Sequence, residues 1–113
     1  MAIPSGSETE VLKNVNGTLQ NAGASVLTAG TNEIITILSI IAHTTHATSD
    51  SKLYITMNNG STDRQFIYKF IPGYGTFVWN DKIVMHPTHV LKMNEVNNIT
   101  MHYWVSYILQ DWT

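Results

Sequence analysis

Four of the five histidines in this 113-residue chain fall in two His-x-x-His pairs, "HTTH" at His43 to His46 and "HPTH" at His86 to His89. On a helix, residues three apart share a face, and two imidazoles so placed can grip one metal ion; on a strand they project to opposite faces. Zn²⁺ or Ni²⁺ is the chemistry such pairs would offer. Other candidates are sparse. With no cysteine, thiolate nucleophiles, thiolate zinc sites and disulfides are all excluded. There is no Gly-x-Ser-x-Gly elbow, and "GYG" at Gly73 to Gly75 follows Pro72 as a turn, not as a phosphate cradle before a helix. The carboxylates, Glu95 among them, fall mostly in turn-like segments or at strand ends, where solvation accounts for them. Catalytic residues are therefore expected to be none. Aromatic side chains are the remaining resource: Tyr74, Trp79 and Trp104 could stack on a sugar, and Trp112, the next-to-last residue, has little of its own chain left to bury it.

These residues must be positioned by strands. Apolar residues recur at every second position and hardly anywhere at helical spacing. In "NITMHYWVSYILQDW", Ile99, Met101, Tyr103, Val105, Tyr107 and Leu109 share one face, while His102, Trp104, Ser106 and Ile108 share the other, a second face that is only partly polar. "EIITILSIIA", from Glu33 to Ala42, is too continuously apolar for a one-sided strand and predicts a central strand covered on both faces. "KLYITM" turns Leu53, Ile55 and Met57 inward; "RQFIYKFI" separates Phe66, Tyr68 and Phe70 from Ile67, Lys69 and Ile71. Weaker strand signals lie around Val11 to Val15 and Ser25 to Thr28. Between the runs stand segments with turn chemistry: "NNGSTD", "PGYG", "WNDK", "HPTH" and "NEVNN".

Strands of this length and spacing predict an all-β chain: a single antiparallel β-sandwich, jelly-roll-like, of about eight strands and without a long helix. Residues 1–17, polar and carrying Pro4, are expected as a flexible N-terminal arm, and residues 18–113 as the sandwich domain. In this context each His pair lies at the end of a strand, so neither offers a shared face. If strand directions alternate from Glu33 onward, the two pairs fall at the same end of the domain. The expectation is loop histidines at an exposed rim or subunit contact, no metal and no cofactor, with His43, His46, His86 and His89 as the metal candidates.

Composition narrows the partners. The formal charge is −2, charged residues are 12% of the chain, and there is no Lys/Arg run. The basic footprint that a phosphate backbone demands is missing, so nucleic acid is not an expected partner. The longest aliphatic stretch is about half of what a helix needs to cross a bilayer, and "MAIPSGSETE" has neither a basic nor an apolar segment of a signal peptide. No membrane partner and no export are expected. A surface made polar by Asn, Thr and Ser, with few Lys and Glu, points to a chain largely occupied by neighbours.

Three segments carry a resemblance: "SVLTAGTNEIITILSIIAHTTHATSDSKLYITM", "FIPGYGTFVWNDKIVMHPTHVLKM" and "NNITMHYWVSYIL". In their order of long aliphatic strand, polar loop, Pro/Gly turn, aromatic strand and closing strand they resemble small β-sandwich virion proteins of tailed bacteriophages. The likeness runs from Ser25 to Leu109 and departs at "HPTH" and over the N-terminal 17 residues. It implies a non-enzymatic structural protein of the virion, a capsid decoration or cement protein or a tail or neck accessory, made in the host cytoplasm. Its implied partners are itself, as a homo-oligomer such as a trimer, and the major capsid or tail proteins. His102, Trp104, Trp112 and Tyr74 are the candidate contact residues. The alternative is a carbohydrate- or receptor-binding β-sandwich of a phage tail or fibre, stacking through Tyr74, Trp79 and Trp104.

Overall fold

The computed structural model describes residues 9–19, 23–46, 48–97 and 99–111. Among these there are nine strands and no helix: β1 (Thr9–Leu19), β2 (Gly23–Thr28), β3 (Glu33–Thr44), β4 (Ser51–Asn58), β5 (Asp63–Ile71), β6 (Thr76–Trp79), β7 (Ile83–Met85), β8 (Val90–Glu95) and β9 (Met101–Asp111). They form two sheets. One has the order β1-β9-β3-β6 with β7 also on β3, and the other the order β2-β8-β4-β5. Every pairing is antiparallel.

β6 and β7 together occupy one position, because β6 pairs Ile40 to His43 of β3 and β7 pairs Ile35 to Ile37 of the same strand. Eight strand positions in two four-position sheets follow. β4 and β5 make a hairpin within one sheet, and the other successive positions cross between sheets, which is the double-sheet jelly roll. The expected fold class holds.

Alternation explains the core. Leu53 and Ile55 of β4, Leu91 and Met93 of β8, and Met101 and Val105 of β9 are fully buried between the sheets. β3 cannot keep strict alternation: Ile35 and Ile37 point inward, and so do Ile40 and Ala42. A bulge between Ile37 and Ser39 absorbs the change of parity, Leu38 being the extra residue. The continuous apolar run of β3 is therefore partly a bulged one-sided strand, and among the described residues no second layer lies over its outer face: Ile41 is 38% exposed. The expectation of cover on both faces is met on one.

Two further expectations change. Strand pairing extends through residues read as arm: β1 begins at Thr9 and lies against β9 along its whole length, from Thr9 opposite Asp111 to Leu19 opposite Met101. The boundary drawn at 17 and 18 thus falls inside a strand, since polar Asn and Thr at alternate positions of β1 occupy its outer face and do not signal disorder. Residues 1–8 lie outside the described residues. "WNDK" is not a reversal either: β6 and β7 run in one direction along β3, and Asn80 to Lys82 link them.

Candidate functional site

The missing reversal at "WNDK" moves the histidines apart. "HTTH" ends β3 at the end of the domain where Tyr74 N–H donates to His46 O (2.7 Å) and Thr44 N–H to Gly75 O (3.1 Å). "HPTH" lies at the other end, where Ala29 N–H donates to His89 O and Thr88 N–H to Ala29 O, each at 3.0 Å. The span of β3 separates them, about 25 Å at roughly 3.3 Å per residue. The same-end expectation is therefore corrected, and no group of three or more His, Asp or Glu side chains placed to hold a metal occurs among the described residues.

Each pair does local work. His89 N–H closes a turn on His86 O (3.1 Å), His86 N–H donates to His89 Nδ1 (3.2 Å), and the two rings stand edge to face at 5.7 Å. Pro87 and Thr88 are the central residues, and Thr88 takes φ 71°, a left-handed conformation costly for a β-branched residue. His43 Nδ1 is 2.8 Å from Thr76 Oγ1, and its cross-strand neighbour on the other side is His102. The imidazole beside His43 is thus one that spacing in the sequence does not point to.

The aromatic candidates separate in the same way. Trp104 lies on the outer face of the β1-β9-β3-β6 sheet, 47% exposed. Trp79 pairs with the fully buried Ile40, packs against the core, and has a buried Nε1 without a hydrogen-bond partner among the described residues. Tyr74 stands on the turn after β5 at φ 55°, exposed. No common stacking surface unites the three, because alternation puts Trp79 and Trp104 on opposite faces of one sheet. Trp112 lies outside the described residues. His102 and Trp104 do share a shallow cleft of about 280 Å³ with Asn16, Gly17, Thr18 and Tyr103.

The two outer faces differ in chemistry. On the β2-β8-β4-β5 sheet, Tyr54 and Tyr68 meet edge to face at 4.5 Å, Phe70 lies 5.6 Å beyond Tyr68, and Lys52 Nζ sits 5.3 Å from the centre of the Phe70 ring. The Tyr54 phenol is held above its ordinary range, first by its hydrogen bond with the Tyr68 hydroxyl and then by desolvation. Lys92 Nζ is 3.1 Å from Asp63 Oδ1. The Asp63 carboxyl is held below the usual carboxylate range, first by the Asn58 side-chain amide at 2.7 Å and then by Lys92. Charges and exposed rings share this face. The row Phe66, Tyr68, Phe70 was visible as alternation in "RQFIYKFI", and burial of Ile67 and Ile71 decides that the aromatics face out.

On the β1-β9-β3-β6 sheet the outer face reads in rows across the strands. Thr18, His102, His43 and Thr76 form one; Asn16, Trp104, Ile41 and Val78 the next; Asn14, Ser106 and Ser39 a third; Leu12, Ile108, Thr36 and Val84 a fourth. Two apolar rows flank a row of small polar side chains. Among the strand residues of this face the one formal charge is Glu10, at its margin, 3.3 Å from Gln110 Nε2.

One buried polar residue escapes notice in the sequence. Glu95 is fully buried, accepting from Asn97 N–H at 2.9 Å and Ile99 N–H at 3.0 Å, so it shapes the β8–β9 connection and does not face solvent.

No protein-family model and no curated protein matches the sequence. Solved structures do match the fold. A chain of the acid-stable capsid of Helicobacter pylori bacteriophage KHP30 superposes with a TM-score of 0.62 at 8% identity, over 89% of this chain and 92% of that one. A chain of the Bacillus endospore appendages, described as disulfide-linked pili, superposes with a TM-score of 0.59 at 9% identity, over 100% and 96%.

Proposed function

We propose that this protein is a non-enzymatic structural component of a phage virion, a capsid decoration or cement protein that acts through repeated protein contacts. The observation that carries the reading is the match of the jelly roll, over nearly the whole of two chains of comparable length, to a chain of a phage capsid. The pili whose chain also superposes are described as disulfide-linked, and a chain without cysteine has no such link to make. A non-catalytic role is supported by the described residues, where the His pairs lie apart and Glu95 is engaged with backbone amides. Small repeated domains add stability to a shell by multiplicity, each contributing a modest area.

The exposed rings of Tyr68 and Phe70 favour carbohydrate or receptor binding as the second reading, on a different face from the one the sequence suggested. The test is cosedimentation of the purified protein with phage capsids that lack it, alongside a glycan array. Saturable binding to capsids, with raised heat resistance of the particle, is expected. Absence of capsid binding together with glycan binding that Tyr68→Ala/Phe70→Ala abolishes would transfer the function to the second reading.

A further inference from the structure

We propose that the outer face of the β1-β9-β3-β6 sheet is the contact between two copies of this chain, which pair face to face about a two-fold axis near the Ser106 and Ser39 row. The inference deepens the structural reading above and rests on it for its biological setting, though not for its geometry.

Three observations converge. First, β3 and β9 carry apolar residues on both faces, Ile41, Trp104 and Ile108 among those on the outer one, and the described residues cover the inner side alone. On that outer side Trp104 is 47% exposed and Val78 and Val84 about half. Second, the face is depleted of charge and carries exposed Trp104 in the row next to its middle one, with Glu10 at one margin and Asp81 and Lys82 in the β6–β7 link at another. Depletion of charge together with an exposed aromatic is how interface cores differ from ordinary surface. The opposite sheet, which carries Lys52, Lys92 and Asp63, lacks that depletion.

Third, the size fits a second copy. Four strand positions at about 4.8 Å, over eight residue steps of about 3.4 Å, give a face on the order of 500 Å² in projection. Two copies then bury about 1,000 Å² before side-chain relief is added, where specific association begins. A face whose one formal charge among its strand residues is the marginal Glu10 asks for no complementary charge on a different partner, and it can complement itself. A two-fold axis near the Ser106 and Ser39 row superposes one apolar row on an apolar row of the other copy and brings the small polar side chains together where the sheets approach most closely.

The absence of native cysteine makes the test clean. The full chain is run by sedimentation velocity from 1 to 100 μM, and Ser106→Cys and Thr56→Cys variants are treated with a short bis-maleimide. Thr56 lies on the outer face of the other sheet. The expected result is a dimer of the native chain, a covalent dimer through Ser106→Cys and none through Thr56→Cys. Trp104→Lys/Val78→Lys, two exposed positions, should keep the β-sheet circular dichroism and weaken association by about 30-fold or more. A native chain monomeric at 100 μM, a dimer indifferent to the double substitution, or cross-linking through Thr56→Cys would each overturn the proposal.

Capsid cosedimentation of the same variants separates this proposal from the functional one. A monomer that binds capsids, and loses them with Trp104→Lys/Val78→Lys, assigns the face to the shell protein and overturns the dimer while the virion reading stands. A dimer that binds no capsid leaves the pairing intact and counts against the virion reading.

Discussion

Glu95 shows how a residue's type and neighbours can mislead. "NEVNN" has the composition of a solvated turn, yet the carboxylate is fully buried and holds two backbone amides of the segment that follows. Nothing local distinguishes it, because the cover comes from β4, whose Lys52 carbonyl accepts from Val96 N–H (3.2 Å) and whose Leu53 lies opposite Glu95. Glu95→Ala leaves those amides without their acceptor in a water-poor place and is expected to cost about 3 kcal/mol. That lowers the melting temperature by roughly 10 °C or more, measurable by calorimetry, with Glu95→Gln retaining part of the loss through its one remaining acceptor. A change within 2 °C for Glu95→Ala would show that the amides find other partners. The histidines teach the converse. Their spacing suggested a chelate, but strand context alone removed the shared face, and this much was legible without coordinates.

At the level of elements, alternation located β3, β4, β5, β8 and β9 and assigned the inward faces of β4 and β9 correctly, because period two is the geometry of the strand itself. Bulges and links were not legible. The extra residue in β3 and the continuation of β6 into β7 depend on which strand lies alongside, and "WNDK" is equally compatible with reversal and with passage. Gly17 belongs to this scale. A Cβ there would stand 2.6 Å from Tyr103 Oη and 2.9 Å from Cζ, so β1 can lie flat against β9 because this position is empty. Gly17→Ala should therefore destabilise the sheet by about 1 to 3 kcal/mol through displacement of the ring, seen as a lower denaturant midpoint. Tyr103→Phe in the same chain should recover part of that loss, and no recovery would place the strain elsewhere.

For the whole molecule, the first and last described strands close the sheet on each other: Glu10 pairs with Gln110 and Leu19 with Met101. A topology in which most neighbouring strands are distant in sequence must meet its loop-closure cost before these contacts form. Refolding is accordingly expected on the millisecond-to-second scale. Stopped-flow tryptophan fluorescence measures this, and complete refolding in microseconds would mean that local hairpins, not the β1–β9 closure, limit the rate. The same closure decides the surfaces. Residue type and a fixed strand period were enough to give the class, the alternating faces of the main strands, the absence of cysteine chemistry and the apolar residues on the second face of β3 and β9. It took the packing of the strands to set the His pairs at opposite ends, to turn Trp79 inward and Trp104 outward, and to leave a charge-poor face with two apolar rows uncovered by the described residues. Those depend on the order in which strands lie side by side, which period two does not encode.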